Sequence, residues 1–159
     1  MLELGELLPK IPELIGRLVP FDAFGVYLYD ERRDDLKLEY AVGYPDREAG
    51  FRIKGGEGIV GRAVAQREPI VVGDAANDPY YIAVVPGMVS DLVVPMIYKG
   101  RAIGALNVLG HNRDQYGDRD VQILRQFGTH VAVALENARL FEQARRDADA
   151  FETLSEIGS

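Results

Sequence analysis

The stretch that decides the fold reads FRIKGGEGIVGRAVAQREPIVVGDAANDPYY, residues 51–81. An extended segment at residues 51–53 leads into a glycine turn, and residues 59–66 then carry apolar side chains at the spacing of one buried helical face. Pro69 ends this helix because proline cannot continue it, and PIVVGD begins another strand. The sequence therefore predicts a short helix between two strands of a sheet.

Three glycines in this stretch match a dinucleotide-binding pattern. Gly56, Gly58 and Gly61 spell G-x-G-x-x-G, which binds a dinucleotide when it lies in a parallel βαβ unit with an acidic residue about 20 positions further on. Here the helix is short, and the nearest acids, Asp74 and Asp78, come early in a turn-rich loop. We therefore predict that these glycines form a tight turn and a close helix–sheet contact, without a nucleotide site.

The composition limits the classes of function. The chain has 159 residues, 47% of them apolar and 27% charged, which is typical of one globular domain. Its net charge of −7 argues against nucleic acid as a partner. There is no cysteine, which excludes disulfides, thiolate metal sites and thioether-linked chromophores and suits a cytoplasmic protein. No apolar run approaches the roughly 20 residues of a membrane-spanning helix.

Four longer segments predict the strands of the sheet. Residues 23–30 are apolar on both faces, as in a central strand covered on two sides, and pair with residues 36–44 as a hairpin. Residues 92–98 and 102–109 form a second predicted hairpin. Because hairpins dominate, the predicted fold class is α+β, with a central, mainly antiparallel sheet and helices on both faces.

Helices are predicted at both ends of the chain. The prolines of the first segment favour a helix over residues 12–19. The last helix begins at Asp118, a good N-cap, and its apolar stripe continues past the sheet to Phe151, Leu154 and Ile157. Exposed apolar residues of this kind need a partner, so we predict a homodimer in which this helix pairs as a coiled coil.

Three motifs in the expected order make the chain resemble the GAF domain family. They are GEGIVGRAVAQREPIVVGDAANDPYY (residues 56–81), SDLVVPMIYKGRAIGALNVL (residues 90–109), and D-x-x-x-L with ALENARLFEQ (residues 120–143). The resemblance covers residues 19–143. It implies an antiparallel sheet with the terminal helices on one face and a ligand cavity on the other. It also implies a dimer that signals through those helices to an output domain such as a kinase, phosphatase or cyclase.

The resemblance also implies which side chains line the cavity. They come from the start of the short helix and from the irregular segment that covers the sheet after it. These residues are Ile59, Val60, Tyr80, Tyr81, Val85 and Met88, with Ser90 at the rim.

Tyrosines on and near the central strand are further candidates for ligand contact. Alternate side chains of a strand share a face, so Tyr27 and Tyr29 lie together, opposite Val26 and Leu28. If that face borders the cavity, their rings and hydroxyls, with those of Tyr44, contact the ligand. Otherwise they are ordinary core or surface residues of the sheet. The sequence leaves both interpretations open.

The sequence departs from several branches of the family. The acid–phenylalanine–lysine signature of cyclic-nucleotide-binding members is not visible. Members that attach a bilin covalently, and the free-methionine-sulfoxide reductase branch, work through cysteines, which this chain lacks. His111 and His130 have no metal-ligand spacing, and we expect no haem. We therefore expect no enzymatic activity, and the identity of any ligand stays unknown.

Two hypotheses for the function follow. In the first, the domain is a regulatory sensor that binds a small molecule and relays the signal through its terminal helices. In the second, side chains such as Phe51 fill the cavity, and the domain is a ligand-free module for dimerisation and relay. In both, we expect an N-terminal helical segment at residues 1–19, the sensory domain at 20–143, and a linker helix at 144–159 that continues into a longer chain.

Overall fold

A computed structural model describes residues 3–158 and contains a six-stranded sheet. Its strands are β1 (Ala23–Asp30), β2 (Asp35–Val42), β3 (Arg52–Ile53), β4 (Ile70–Val72), β5 (Ser90–Tyr98) and β6 (Arg101–Gly110). The spatial order is β3-β2-β1-β6-β5-β4, and each neighbouring pair is antiparallel. This arrangement confirms the predicted α+β class and the two predicted hairpins.

The central strand β1 is buried on both faces, as its sequence predicted. Val26 packs into the core on one side, and Tyr27 packs into the core on the other. β2 ends at Val42, two residues earlier than predicted, because Gly43 adopts a φ of +79° and turns the chain. A side chain at Gly43 would collide with the backbone carbonyl of Asp22. This turn redirects Tyr44 from the sheet edge towards the face that carries Tyr27.

Four helices accompany the sheet. They are α1 (Leu4–Leu7), α2 (Lys10–Ile15), α3 (Gly58–Gln66) and α4 (Asp118–Gly158), with two short 3₁₀ turns at Asp46–Glu48 and Ala75–Asn77. The predicted helix over residues 12–19 is wrong in its bounds, because Pro12 lies inside the first turn of α2 and the helix ends at Ile15. Leu18 therefore lies beyond the helix and is exposed.

The long helix α4 begins at the predicted place, but its cap differs from the prediction. The residue before the helix is Gly117, whose N–H donates a hydrogen bond of 2.9 Å to the carboxylate of Asp120. Asp120 rather than Asp118 therefore satisfies a free N–H of the first turn. α4 has 41 residues and a length of about 60 Å. Its last turns extend beyond the sheet, and Phe151 is 72% exposed.

The two faces of the sheet are covered differently. α2 and α4 pack on one face, where Ile15, Leu92, Leu106 and Leu124 are fully buried. α3 packs on the other face, together with residues 78–89, a segment without helix or strand that we call the lid. Within residues 3–158, no helix is both long and apolar enough to cross a membrane.

Candidate functional site

A small cavity lies between the sheet and its cover of α3 and the lid. Its volume is about 30 Å³, which accommodates one or two water-sized groups. The lining residues are Tyr27, Tyr44, Phe51, Ile53, Gly58, Ile59, Val60, Tyr81, Ile82, Val84, Val85, Asp91, Asn107 and Leu109. Most of these side chains are apolar, and the polar ones converge from three strands and the lid.

The glycine turn brings α3 close to this cavity. Gly56 and Gly58 have φ values of +86° and +63°, which glycine adopts without strain. A Cβ on Gly61 would lie 2.4 Å from the carbonyl oxygen of Lys54, so only glycine allows the helix to approach the preceding chain. The predicted structural role of these glycines is confirmed.

A chain of hydrogen bonds forms the polar floor of the cavity. The hydroxyls of Tyr27 and Tyr44 lie 3.4 Å apart, and the Tyr44 hydroxyl donates to Oδ1 of Asn107 at 3.2 Å. The amide of Asn107 donates to the carboxylate of Asp91 and, at 3.2 Å, to the carbonyl oxygen of Leu92. The floor therefore joins β1, the turn after β2, β5 and β6 through side chains.

The carboxyl group of Asp91 in the cavity has a pKa that burial shifts into the neutral range. The residue is 3% exposed, and burial raises the pKa of its carboxyl to about 7 even though the hydrogen bond from Asn107 lowers it. Burial also raises the pKa of Tyr44 well above its ordinary value and that of Tyr81 to about 12. The tyrosine hydroxyls thus stay protonated at neutral pH, whereas the Asp91 carboxyl changes its protonation state in that pH range.

One polar atom beside the floor has no partner. The Tyr81 hydroxyl is buried and makes no hydrogen bond within the part of the chain that the structure describes. Among the described residues, no lysine, arginine or histidine lines the cavity. His111 and His130 both lie on the surface, away from it. Residues 3–158 also contain no group of three acidic or histidine side chains placed to hold a metal ion.

Of the ten predicted site residues, six line the cavity and four do not. The six are Tyr27, Tyr44, Ile59, Val60, Tyr81 and Val85. Whether they contact a ligand stays a prediction. The other four are Tyr29, Tyr80, Met88 and Ser90.

Tyr29 and Tyr80 lie outside the cavity. Tyr29 lies at the end of β1, where its hydroxyl donates to the carboxylate of Asp34 at the surface. Tyr80 is 51% exposed, and its ring lies outside the lid under the guanidinium of Arg62, 3.6 Å from the ring centre. Residues 79–80 form a turn, after which Tyr81 lines the cavity while Tyr80 lies outside it.

Met88 and Ser90 have structural contacts. Met88 packs against a small apolar cluster beside the cavity. Ser90 is buried, and its hydroxyl donates to the carbonyl oxygen of Asn112 and accepts a hydrogen bond of 3.0 Å from the backbone N–H of Gln115. It therefore ties the start of β5 to the loop before α4 and does not reach the cavity.

Asp91 and Asn107 were not among the predicted site residues. Each stands alone as a polar residue on the cavity face of an otherwise apolar strand. The register of the hairpin pairs Val93 with Asn107 and Asp91 with Leu109, so the two polar residues are diagonal neighbours. Because buried polar groups need partners, the predicted pairing of this hairpin was the sequence signal that could have identified Asp91 and Asn107 as site residues.

A larger groove of about 660 Å³ lies at the other end of the sheet. Its arginines are all engaged: Arg67 donates to the carbonyl oxygen of Gly100, Arg101 pairs with Glu31, and Arg139 pairs with Glu136. The groove therefore presents mixed and locally compensated charge, in contrast to the cavity.

Solved structures with this architecture include reductases and GAF domains of other proteins. The chain is 27% identical to the free methionine-R-sulfoxide reductase of Neisseria meningitidis, solved with its substrate, over 86% of this chain and 90% of that one, with a TM-score of 0.72. The GAF domain of a phosphoenolpyruvate-protein phosphotransferase from Coxiella burnetii is 22% identical over 90% and 88% of the two chains, with a TM-score of 0.81. A GAF domain/HD domain protein from Geobacter sulfurreducens is 18% identical over 85% and 93%, with a TM-score of 0.73.

The similarity to reductases corrects one prediction. We expected no enzymatic activity, but a reductase with this fold at 27% identity contradicts that expectation, so activity is plausible for a chain of this kind. The lack of cysteine excludes chemistry through a thiol, and it says nothing about catalysis through other groups.

The family itself follows from the sequence match. A family profile described as GAF domain matches residues 2–136, which is most of the chain. The predicted resemblance and the antiparallel sheet between terminal helices and a lid agree with this match. The chain belongs to the GAF domain family.

Proposed function

We propose that this GAF domain is a regulatory sensor that binds a small molecule in the cavity under the lid. The observation that carries the proposal is the incompletely bonded polar floor, where Asp91 is buried and the Tyr81 hydroxyl has no partner within the described residues. Buried polar groups without partners cost about 1–3 kcal/mol each. A ligand that completes these hydrogen bonds recovers that free energy on binding.

The terminal helices offer a path for the signal. β5 carries Asp91 on its cavity face and Leu92 and Val94 on the face that packs against α4. A shift of β5 on ligand binding therefore changes the packing of α4. For such coupling, the ligand must bind the two arrangements of the helix with unequal affinity.

A homodimer and an output domain complete the proposal. The exposed apolar residues Phe151, Leu154 and Ile157 on α4 support pairing with a second copy as a coiled coil, with residues 144–159 as the linker to an output domain. Sedimentation of the full chain and of a Phe151→Asp variant tests the pairing. We expect a dimer for the first and a smaller mass for the second. A monomer in both cases contradicts the dimer.

The small cavity volume favours a second candidate function. At about 30 Å³ the interior is nearly filled by side chains such as Phe51 and Tyr81, as expected for a relay module without a ligand. The two candidates differ in whether the lid opens. A sensor needs the lid to move so that the cavity enlarges around its ligand, whereas the relay module keeps it closed.

Native mass spectrometry of the purified chain separates the two functions. A bound small molecule appears as excess mass that is lost on denaturation. The matched control is Val85→Phe, which fills the cavity from its wall without changing charge. Excess mass in the wild type and none in the variant supports the sensor. A chain without excess mass that also binds no compound from a metabolite library, measured by thermal shift, supports the relay module.

A further inference from the structure

Each side chain of the cavity floor donates a hydrogen bond to the next one, and the series ends at the carboxylate of Asp91. A tyrosine hydroxyl has one hydrogen, and Tyr44 gives its hydrogen to Asn107, so Tyr27 must donate to Tyr44. The amide of Asn107 has two hydrogens and gives them to Asp91 and to the carbonyl oxygen of Leu92. Every donor of the floor is therefore used, and the carboxylate keeps lone pairs that no described side chain of the floor satisfies.

The unused groups of the floor itself are acceptors. A carboxylate accepts about four hydrogen bonds, and Asn107 supplies one to Asp91 within residues 3–158. The Tyr81 hydroxyl in the same lining makes no hydrogen bond within the described residues, so its oxygen and its hydrogen are both unused. The floor thus lacks a donor of hydrogen bonds that is small enough for a volume of about 30 Å³.

The charge of the cavity also favours a ligand group that donates hydrogen bonds. Within residues 3–158, the lining contains one carboxyl group and no basic side chain. An anionic ligand such as a phosphate or carboxylate would meet this carboxylate without a counterion, and burial strengthens the repulsion. A cation would instead neutralise Asp91. The remaining walls, including Ile59, Val60 and Val85, are apolar and suit a hydrocarbon chain.

We infer that the cavity binds its ligand through an ammonium group that donates hydrogen bonds to Asp91 and Tyr81, and that it excludes anionic ligands. This inference rests on the proposed sensor function and names the chemical class of its ligand. An ammonium group is about the size of a water molecule, has three donors and carries the charge that the floor lacks. An apolar tail on the ligand then extends under the lid.

Three four-carbon probes of different charge test the ligand class. They are n-butylamine, 1-butanol and butanoate, titrated at pH 8 while the backbone and Asn107 amide resonances are followed by NMR. We expect n-butylamine to bind at least about tenfold more tightly than 1-butanol and butanoate not to bind. The variant Asp91→Asn keeps the shape of the site, and in it the preference for the amine over the alcohol should disappear.

The pH dependence in the wild type provides a readout that does not require the variant to fold. Five titratable groups interact electrostatically with Asp91. They are Asp78, Tyr27, Tyr44, Tyr81 and Tyr116. Because a cation favours the ionised carboxylate, and this carboxyl has a pKa of about 7, n-butylamine should bind about tenfold more weakly at pH 6 than at pH 8. The binding of 1-butanol should change little.

The outcomes separate this inference from the function on which it rests. If 1-butanol or butanoate shifts the cavity resonances as strongly as n-butylamine does, the cavity binds ligands but the ammonium assignment is wrong. The assignment is also wrong if the affinity for the amine is equal at pH 6 and pH 8. If no probe binds and native mass spectrometry finds no bound molecule, the sensor function and the ammonium assignment both fail.

Discussion

Replacing Asp91 with asparagine should make the protein increasingly stable relative to the wild type as the pH rises. Burial raises the pKa of this carboxyl from its ordinary value of 3.8 to about 7 in the folded chain. Between these two values the folded state holds a proton that the unfolded state has lost, so the free energy of unfolding falls as pH rises. The loss is complete above pH 7, where the carboxyl is ionised in both states.

The magnitude follows from the width of that pH interval. Each pH unit between 5 and 7 lowers the free energy of unfolding of the wild type through this group by at most about 1.4 kcal/mol, and by less as the pH approaches 7. The variant lacks the titration, so its stability relative to the wild type should increase by about 2–3 kcal/mol from pH 5 to pH 8. Any cost of an unpaired amide hydrogen in the Asp91→Asn variant is the same at both pH values and cancels in this comparison.

Urea unfolding followed by far-UV circular dichroism at pH 5 and pH 8 measures the effect, since the chain has no tryptophan for fluorescence. The control is Asp149→Asn, on the exposed surface of α4, where the carboxylate lies in water. This variant is compared with the wild type at the same two pH values. A difference between the Asp91→Asn variant and the wild type that stays constant within about 0.5 kcal/mol over this range would show that Asp91 is not held in a desolvated site.

Two further predictions concern the lid and the sheet. Tyr80→Leu removes the cation–π contact with Arg62, which is worth about 0.5–1 kcal/mol. Amide hydrogen exchange in the lid should therefore accelerate about two- to fivefold, while exchange in β5 stays the same. An unchanged exchange rate in the lid would mean that this contact does not hold the lid. Gly104→Ala would place a Cβ 2.1 Å from the backbone carbonyl oxygen of Tyr27, so thermal unfolding should show a loss of at least about 2 kcal/mol. Gly5→Ala, which has open space, should be harmless, and equal melting temperatures for the two variants would contradict the clash.

The sheet was predictable because its strands are long, apolar and bounded by turn residues. β1 has the predicted bounds, Ala23–Asp30, since its β-branched and aromatic residues favour a central strand. The cover of the cavity was predictable only in outline. In the lid no repeating pattern fixes the direction of each side chain, so the sequence could not tell that Tyr81 points inward and Tyr80 outward.

The polar floor was harder to predict because it depends on register. Asp91 and Asn107 are 16 positions apart and meet only because the β5–β6 hairpin places them diagonally. A one-residue shift of the pairing would turn one of them towards the terminal helices. The sequence shows the two residues as single polar interruptions of apolar strands, and only the register turns them into a site.

The position of Asp91 in the chain connects the proposed ligand site to both terminal helices. Its neighbour Ser90 accepts a hydrogen bond from the N–H of Gln115, in the loop that leads into α4. The side chain of Gln115 and the hydroxyl of Tyr116 both donate to the carbonyl oxygen of Pro20, in the connection between α2 and β1. These hydrogen bonds give the proposed relay a path from β5 at Asp91 to the start of α4 and to the end of the N-terminal segment together. In the proposed dimer, a change at the start of α4 would alter the spacing or rotation of its exposed end.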